Sequence, residues 1–243
     1  MKEIKSGKIA DCQVTVPGSK SYTHRMLIAA ALANGVSHLK NALVSEDTQF
    51  TMQALRQMGI QIEASRNGVR VAGKGGRLEP SEEPIYLGNS GTSMRLLTGV
   101  VALGEGTYTL TGNDRMQMRP IKDLLDALQQ MGIRARSVKN NGCPPVEVTA
   151  AVIIAERVDI NCRNSSQYLS ALLLMAPGTS RGLEIRIVGG PPVSRPYVDL
   201  TVALMETFAI RLERQGYQKF KVPGGQLYRA GNYVVETDCS QAA

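Results

Sequence analysis

Two kinds of apolar segment recur along the chain. In the first kind nearly every position is apolar and the segment ends at glycine, which is typical of a helix buried on all sides. These segments are residues 22–35, 92–106 and 166–178. In the second kind apolar positions recur three and four residues apart, as in an amphipathic helix, and a short strand-like segment follows. These segments are residues 51–60, 124–133 and 200–210, with predicted strands at 61–64, 134–138 and 211–214.

The two series run in phase, which indicates an internal repeat. The residues that close the buried helices are spaced by 71 and 72 residues, and those that close the amphipathic helices by 73 and 77: Gly35, Gly106 and Gly178, then Gly59, Gly132 and Ala209. Chance similarity between apolar helices is the alternative. The repeat predicts an α/β fold in which three copies of one unit pack around a shared core of buried helices.

The first buried helix follows the stretch from Pro17 to Arg25. An alternating run at 13–16, a tight turn at Gly18 and an apolar run from Met26 predict a strand, a turn and a helix. The start of a helix carries unpaired N–H groups and a partial positive charge, so it favours anions. Lys20 adds a mobile positive charge there, and Arg25 adds a fixed one. The simpler interpretation is a capped helix with two solvated cations.

The other helices also open with polar residues. Their openings are residues 87–95, 114–121, 164–168 and 194–197, with Pro120 and Pro196 predicted in first turns. If the units are related by rotation, these openings fall on one face of the domain. That face would carry five cations and attract a phosphorylated or carboxylated substrate: Lys20, Arg25, Arg95, Arg119 and Arg195.

Plainer roles are open for several of these residues. Ser165 and Ser166 are typical helix caps, and Arg95 is suited to a structural ion pair. We expect His24 to be a packed or capping side chain rather than a base, because no carboxylate lies near it in sequence. Asp47 and Asp199 could act as acids, but an isolated Asp on an amphipathic helix is usually solvated. No Ser-His-Asp triad or pair of catalytic carboxylates is evident.

Composition narrows the class of ligand. The 243 residues carry a formal net charge of +7, with 28 Lys and Arg against 21 Asp and Glu, but no basic run, no Trp and only three Phe. Small anions therefore fit better than nucleic acid as ligands.

The four cysteines show no paired spacing and, with two histidines, give no set of metal ligands, so we expect no metal or cofactor. Polar residues 1–11 do not resemble a signal peptide, and no apolar run reaches the length of a membrane span. We therefore expect a cytoplasmic protein whose cysteines are free thiols.

Five motifs in one order resemble the N-terminal half of the 5-enolpyruvylshikimate-3-phosphate (EPSP) synthase family. They are 17–25, 87–95, Arg119-Pro120, 165–167 and 194–197, and the resemblance covers essentially the whole chain. It implies transfer of the enolpyruvyl group of phosphoenolpyruvate to the 5-hydroxyl of shikimate 3-phosphate, in the shikimate pathway of aromatic amino-acid biosynthesis. It also implies six βαβαββ units, three in each of two domains, with the active site between the domains.

The resemblance implies a role for each motif. Lys20 would contact both substrates, and Gln167 would lie against the shikimate ring and reach the enolpyruvyl group. The remaining shikimate 3-phosphate ligands would be Ser21 and Arg25 for the carboxylate, Ser165, Ser166 and Ser194 for the phosphate, and Tyr197 beside the ring. Phosphoenolpyruvate would be held by Arg119 and approached closely by the Gly91 backbone.

The same resemblance suggests domain limits. Residues 1–13 would form an edge strand belonging with a second domain, residues 14–235 the three repeats, and residues 236–243 the crossover into that second domain. The family's catalytic Asp and Glu would lie in the second domain, so we expect this chain to bind shikimate 3-phosphate without turning it over alone. Ser90, Ser93 and Leu96 depart from common family residues, and we expect small shifts in affinity for the inhibitor glyphosate.

Two alternatives remain open from the sequence. The sister family, UDP-N-acetylglucosamine enolpyruvyl transferase, carries a reactive Cys just before its Arg-Pro pair, whereas residues 114–120 contain none. A non-catalytic domain that binds small anions is the alternative from another class, because half of a cleft can bind a ligand without reacting it.

Overall fold

The computed structural model describes residues 16–237. Six α-helices lie in this range: α1 (Lys20–Leu32), α2 (Glu46–Gln57), α3 (Gly91–Val100), α4 (Lys122–Gln130), α5 (Gln167–Met175) and α6 (Arg195–Thr207). Within the described range, none of these helices is long and apolar enough to cross a membrane.

Twelve short strands accompany the helices in the described part of the chain. They are β1 (Asn34–Lys40), β2 (Gln61–Ser65), β3 (Gly68–Lys74), β4 (Ile85–Tyr86), β5 (Thr107–Thr111), β6 (Arg134–Ser137), β7 (Val146–Thr149), β8 (Arg157–Asn161), β9 (Leu183–Val188), β10 (Glu213–Gln215), β11 (Lys219–Val222) and β12 (Asn232–Val234). They form three four-stranded sheets, in the orders β12-β1-β3-β2, β4-β5-β7-β6 and β8-β9-β11-β10.

The three sheets share one topology. In each, the first two strands are parallel and the other pairings are antiparallel. The second and third units read βαβαββ along the chain, from β4 to β7 and from β8 to β11. In each of these units a buried helix, α3 or α5, connects the parallel pair. This arrangement confirms the predicted threefold repeat and the α/β class.

The first unit is completed by the end of the described chain. Its parallel strand is β12, which pairs with β1 in the register His38↔Asn232. Just beyond β12, the Glu236 carbonyl accepts a 2.8 Å hydrogen bond from the Ser19 amide, and Thr237 bridges to Gly18. The carboxyl end of β12 therefore lies beside the start of α1, in the position that β4 has relative to α3, although β12 comes last in the described chain. The predicted strand at 13–16 lies outside the described residues except for Val16, and the expected edge strand at 1–13 lies outside them entirely.

The core consists of the predicted buried helices. α1, α3 and α5 are buried over most of their length, and α3 packs against α5. The amphipathic helices bury one face each; examples are Leu55, Leu128 and Leu204. The sheets show the alternating burial of strands with one covered face.

Several element ends differ from the sequence prediction. α1 stops at Leu32 and Gly35 already belongs to β1, while α3 and α5 tighten into 3₁₀ turns, at Val101–Leu103 before Gly106 and at Ala176–Gly178. Pro120 lies outside α4, because Ile121 is the N-cap, whereas Pro196 lies in the first turn of α6 as predicted. The third strand that follows an amphipathic helix begins at Glu213, two residues later than predicted.

The repeat predicts a stabilising substitution. Gly59, Gly132 and Ala209 follow the three amphipathic helices, and all have positive φ, at +84°, +84° and +65°. Only Ala209 has a Cβ, which is unfavourable in this conformation. We expect Ala209→Gly to raise the free energy of unfolding by about 1 kcal/mol, after the entropy cost of glycine is deducted.

The reverse substitution is the matched control. Gly132→Ala should lower the free energy of unfolding by about 1 kcal/mol, because no atom lies within 4 Å of the added Cβ and only backbone strain acts. Urea unfolding followed by circular dichroism measures both. A loss of stability in Ala209→Gly equal to that in Gly132→Ala would contradict the equivalence of the two positions.

Candidate anion-binding site

The start of α1 places Lys20 beside α2. Ser19 is the N-cap, and its hydroxyl accepts a hydrogen bond from the Tyr22 amide. Lys20 Nζ lies 2.8 Å from Oδ2 of Asp47, and the two side chains are 44% and 32% exposed. Asp47 is therefore ion-paired as well as partly exposed to solvent. An ion pair this exposed contributes about 1 kcal/mol or less, so Lys20 remains available to a ligand.

Arg25 lies at the junction of three helices. Its guanidinium donates to the Ser21 carbonyl in α1 at 2.9 Å, to Ser170 in α5 at 3.1 Å and to Thr201 in α6 at 2.7 Å. Only 1% of the residue is exposed, and no carboxylate pairs with it within residues 16–237. Burial lowers the pKa of Arg25 to about 10, with the Tyr197 phenol acting in the opposite direction. Arg25 is therefore a desolvated cation rather than a solvated one.

His24 is packed, as predicted. Its Nδ1 lies 2.7 Å from the Thr51 hydroxyl in α2, and Nε2 has no hydrogen-bond partner. Burial, against the opposing charge of Asp47 and with the help of the nearby Arg25 and Lys20, lowers the His24 pKa to about 3. His24 is consequently neutral at physiological pH.

Gln167, the first residue of α5, joins α5 to α3. Its Oε1 accepts from Arg95 at 2.8 Å and its Nε2 donates to Thr92 at 2.9 Å. Arg95 also lies over the Tyr168 ring, 5.7 Å from the centroid. It has no carboxylate partner among the described residues, so the structural ion pair considered for it is absent there. Burial lowers its pKa.

Gly91 and Arg119 lie together at the start of α3. Arg119 donates to the Asn89 carbonyl at 3.2 Å, and a Cβ added to Gly91 would lie 2.6 Å from an Arg119 nitrogen. A side chain at position 91 would therefore displace Arg119. The guanidinium of Arg119 is exposed and could meet an anion beside the Gly91 backbone.

The three candidate phosphate-binding serines lie on two loops that are tied together. Ser165 accepts from the Gln167 amide at 3.2 Å, and Ser166 is the N-cap of α5 without a side-chain capping bond. Ser194 is the exposed N-cap of α6, in a left-handed conformation with φ +51°. The Val193 amide donates to the Cys162 carbonyl at 3.3 Å, which joins the two loops. Ser165 thus acts as a cap, whereas the hydroxyls of Ser166 and Ser194 do not.

Tyr197 and Arg195 have different surroundings in α6. The Tyr197 carbonyl accepts from Thr201, the residue that also holds Arg25, and its ring is half exposed. Arg195 instead lies over the Tyr217 ring, 5.1 Å from the centroid, at the β10–β11 turn. Asp199 accepts from Tyr217 and Arg214, so it is hydrogen-bonded as well as partly exposed to solvent.

Hydrogen bonds connect the starts of all six helices of the described range. Lys20–Asp47 and His24–Thr51 join α1 to α2, and Thr51–Ser93 joins α2 to α3. α3 is joined to α5 through Gln167, and α1 to α5 and α6 through Arg25. Around α4, Tyr168 donates to the Pro120 carbonyl and Asn164 to Asp123. The expected common face of helix starts is confirmed, with Arg195 turned aside from it.

Sequence reasoning missed several polar contacts of this face. It did not predict Thr51, Ser170 or Thr201, nor the pairing of Asp47 with Lys20, yet these four residues take part in more than half of the cross-links named above. The available signal was a hydroxyl or carboxyl side chain within the first two turns of a helix whose neighbouring positions are apolar. A buried polar group needs a partner, so such residues point towards one another. Within the described residues, no cluster of three or more His, Cys, Asp or Glu side chains could hold a metal ion.

Comparison with known proteins gives consistent results. The sequence model of the family described as EPSP synthase (3-phosphoshikimate 1-carboxyvinyltransferase) matches residues 4–243. Proteins named 3-phosphoshikimate 1-carboxyvinyltransferase from Shewanella denitrificans and Sulfurovum sp. are 41% and 39% identical, over 100% and 99% of this chain. The matches cover 58% and 57% of those proteins, so the chain spans little more than half their length.

Solved structures agree with the fold. An EPSP synthase from Acinetobacter baumannii is 31% identical with a TM-score of 0.84, over 94% of this chain and 50% of that one. The enolpyruvyl transferase NikO from Streptomyces tendae has a TM-score of 0.68 at 17% identity, over 96% and 53% of the respective chains. The NikO match supports the fold alone.

The buried His24 predicts an acid-sensitive stability. The unfolded chain takes up a proton on His24 near pH 6.5, whereas the folded chain does so only near pH 3. The unfolded state therefore binds about one more proton between these values, and stability falls as the pH is lowered from 6.5. In His24→Asn, proton uptake on unfolding near pH 5 should fall by roughly one. Urea unfolding across this pH range measures it.

His38 provides the control for this experiment. It is the other histidine of the chain and lies exposed on β1. His38→Asn replaces the exposed histidine in the same way, so an effect that belongs to the buried site should be absent from it. Equal pH dependence in the unchanged chain and in His24→Asn would contradict a neutral, buried His24.

Proposed function

Because the chain belongs to the EPSP synthase family, we propose that it is the shikimate 3-phosphate-binding half of a 3-phosphoshikimate 1-carboxyvinyltransferase. The complete protein would transfer the enolpyruvyl group of phosphoenolpyruvate to the 5-hydroxyl of shikimate 3-phosphate and release phosphate. A new bond joins the 5-oxygen to the enolpyruvyl carbon, the bond from that carbon to the phosphate oxygen breaks, and the hydroxyl proton is passed on.

The observation that carries this proposal is the buried charge of Arg25. A desolvated cation without a counter-ion is costly, and Arg25 has none within residues 16–237. Its three hydrogen bonds leave two guanidinium N–H donors unassigned. A substrate carboxylate beside Ser21 and Arg25 would offset the charge, and the nearby Tyr197 would line the shikimate ring.

The serine loops suit the 3-phosphate. Ser166 and Ser194 start α5 and α6, where backbone N–H groups and the helix dipole favour a dianion. Neither hydroxyl is used to cap its own helix. Together with Ser165, they offer a phosphate several directed donors at once, which is how such groups are held firmly.

Phosphoenolpyruvate would lie between α1 and α3. Arg119 beside Gly91 offers a guanidinium to it, and Lys20 can reach both substrates if it exchanges Asp47 for a ligand. Gln167 would contact the enolpyruvyl group from the start of α5. These cations offset the repulsion between two anionic reactants, which must approach each other for reaction.

The second domain would supply the remaining machinery. We propose that residues 1–13 pair with that domain, that 14–235 form the domain of three repeats, and that 236–243 begin the crossover. The proton-transfer groups would lie in the second domain, so this chain alone would bind shikimate 3-phosphate without turning it over. We place the protein in the cytoplasm, where Cys143 and Cys162 would stay reduced thiols.

A binding-only role is the second candidate. The chain spans little more than half of its relatives, which favours binding without chemistry for the chain by itself. The UDP-N-acetylglucosamine alternative is disfavoured, because the matched relatives and the family model carry the 3-phosphoshikimate name.

Shikimate 3-phosphate should bind this chain at the starts of α1, α5 and α6. In an NMR titration, amides of residues 20–25, 165–167 and 194–197 should shift. Ser166→Ala should weaken binding by about tenfold or more, since a hydrogen bond to a charged group is lost. Ser180→Ala, an exposed serine beyond the far end of α5, is the control and should bind normally. Added salt should weaken binding by screening. The proposal fails if all three segments stay unmoved at saturating ligand.

Substitutions of Lys20 and of Asp47 should change the affinity for shikimate 3-phosphate in opposite directions. Lys20→Ala should weaken shikimate 3-phosphate binding and, with the second domain present, lower turnover by orders of magnitude. Asp47→Asn should tighten binding a few-fold, because Lys20 is released from its ion pair.

Glu46→Gln is the matched control for Asp47→Asn. It removes one negative charge from the same first turn of α2, but Glu46 has no ion pair to Lys20. Calorimetric titration of the variants measures the difference. Equal tightening by Glu46→Gln and Asp47→Asn would show that net charge, rather than release of Lys20, is responsible.

A further inference from the structure

Four polar side chains form a continuous buried chain across three helices. His24 Nδ1 in α1 lies 2.7 Å from the Thr51 hydroxyl in α2, which lies 2.7 Å from Ser93 in α3, which in turn lies 2.7 Å from Ser90. All four residues are at most 1% exposed. We call this chain of contacts the hydroxyl relay.

The contact between Ser93 and Asp47 determines which group of the relay donates each hydrogen bond and which accepts it. Ser93 also lies 3.3 Å from the carbonyl oxygen of Asp47, which can only accept. If Ser93 donates its proton to that carbonyl, it must accept from both Thr51 and Ser90. Thr51 then accepts from His24, so the proton of the neutral imidazole lies on Nδ1.

The opposite direction is less favourable. If Thr51 donated to His24 Nδ1, the imidazole proton would lie on Nε2, which is buried without a partner. Buried donors without partners are rarer than unpaired acceptors. The relay therefore runs from His24 through Thr51 and Ser93 to the Asp47 carbonyl, with Ser90 donating into Ser93.

The relay contacts two parts of the proposed phosphoenolpyruvate site. Ser90 is the N-cap of α3, directly before Gly91 and its contact with Arg119. Asp47 carries the carboxylate that holds Lys20. The Arg25 junction, by contrast, uses Ser21, Ser170 and Thr201 and shares no residue with the relay.

We propose that the hydroxyl relay is a positioning device for the phosphoenolpyruvate side of the site alone. It fixes the start of α3 against α2, and so sets the spacing between Gly91, Arg119 and Lys20. In this proposal His24, Thr51, Ser90 and Ser93 are positioning residues, since they act through Gly91, Arg119 and Lys20. This inference rests on the proposed function for the identity of the ligand, but the relay itself can be tested without any ligand.

The first test reads the tautomer of His24. In the unchanged chain at neutral pH, ¹⁵N NMR of the imidazole should show a protonated Nδ1 and a bare Nε2. Thr51→Val keeps the shape but removes the acceptor, and should shift the Nδ1 signal or change the tautomer. Thr51→Ser restores the hydroxyl and should restore the signal. A protonated Nε2 in the unchanged chain, unaffected by Thr51→Val, overturns the relay.

The second test compares two buried hydroxyls of α3. Ser93→Ala breaks the relay, whereas Thr98→Val removes a hydroxyl that bonds only within α3, to the Met94 carbonyl and sulfur. Hydrogen exchange at the amides of 91–94 should become several-fold faster in Ser93→Ala than in Thr98→Val, with 167–170 unchanged in both. Equal exchange at 91–94 in the two variants overturns the proposal.

The third test separates the two ligands. Ser93→Ala should weaken phosphoenolpyruvate binding by about fivefold to tenfold, the worth of one net hydrogen bond, and leave shikimate 3-phosphate binding within twofold. Equal weakening of both ligands overturns the selective role. If the unchanged chain binds neither ligand, the proposed function fails, while the tautomer and exchange results still decide the relay.

Discussion

The buried guanidinium of Arg25 is the interaction on which the arrangement of the site depends. Removing this charge from water costs several kcal/mol even after the protein relaxes. The fold offsets that cost with a carbonyl and two hydroxyls drawn from α1, α5 and α6. Because the three acceptors are fixed around one planar group, the starts of the three helices cannot shift independently. The charge that orders them also remains without a counter-ion in the described part of the chain, which suits it to a carboxylate ligand.

Threefold repetition explains why the helix starts share a face. α3 and α5 each follow a strand that is parallel to the next strand of its sheet, and α1 begins beside the carboxyl end of β12, which is parallel to β1. Three units packed around one helical core therefore present the same ends to the same side. The first unit obtains its parallel strand from β12, which closes the repeat and fixes the backbone at Ser19. The site thus depends on the pairing of β12 with β1, which completes the first unit, rather than on any single loop.

Much of this could be predicted from the sequence, because spacing reports on repeats and on helix starts. The phase of the glycines predicted three units, and the motif at 17–25 predicted the start of α1. The partner of β1 could not be predicted, since β12 is distant in sequence and its pairing depends on tertiary closure. The pairing of Lys20 with Asp47 and the contact of Arg195 with Tyr217 were missed for the same reason: side-chain partners across helices leave no local periodicity.

The most direct test of the central claim is a crystal structure of this chain with shikimate 3-phosphate. We expect the substrate carboxylate within hydrogen-bond distance of Arg25 or Ser21, and the phosphate at Ser165, Ser166 and Ser194. The contacts of Arg25 with Ser170 and Thr201 should persist. A ligand bound elsewhere, with Arg25 still lacking an anionic partner, would contradict the account.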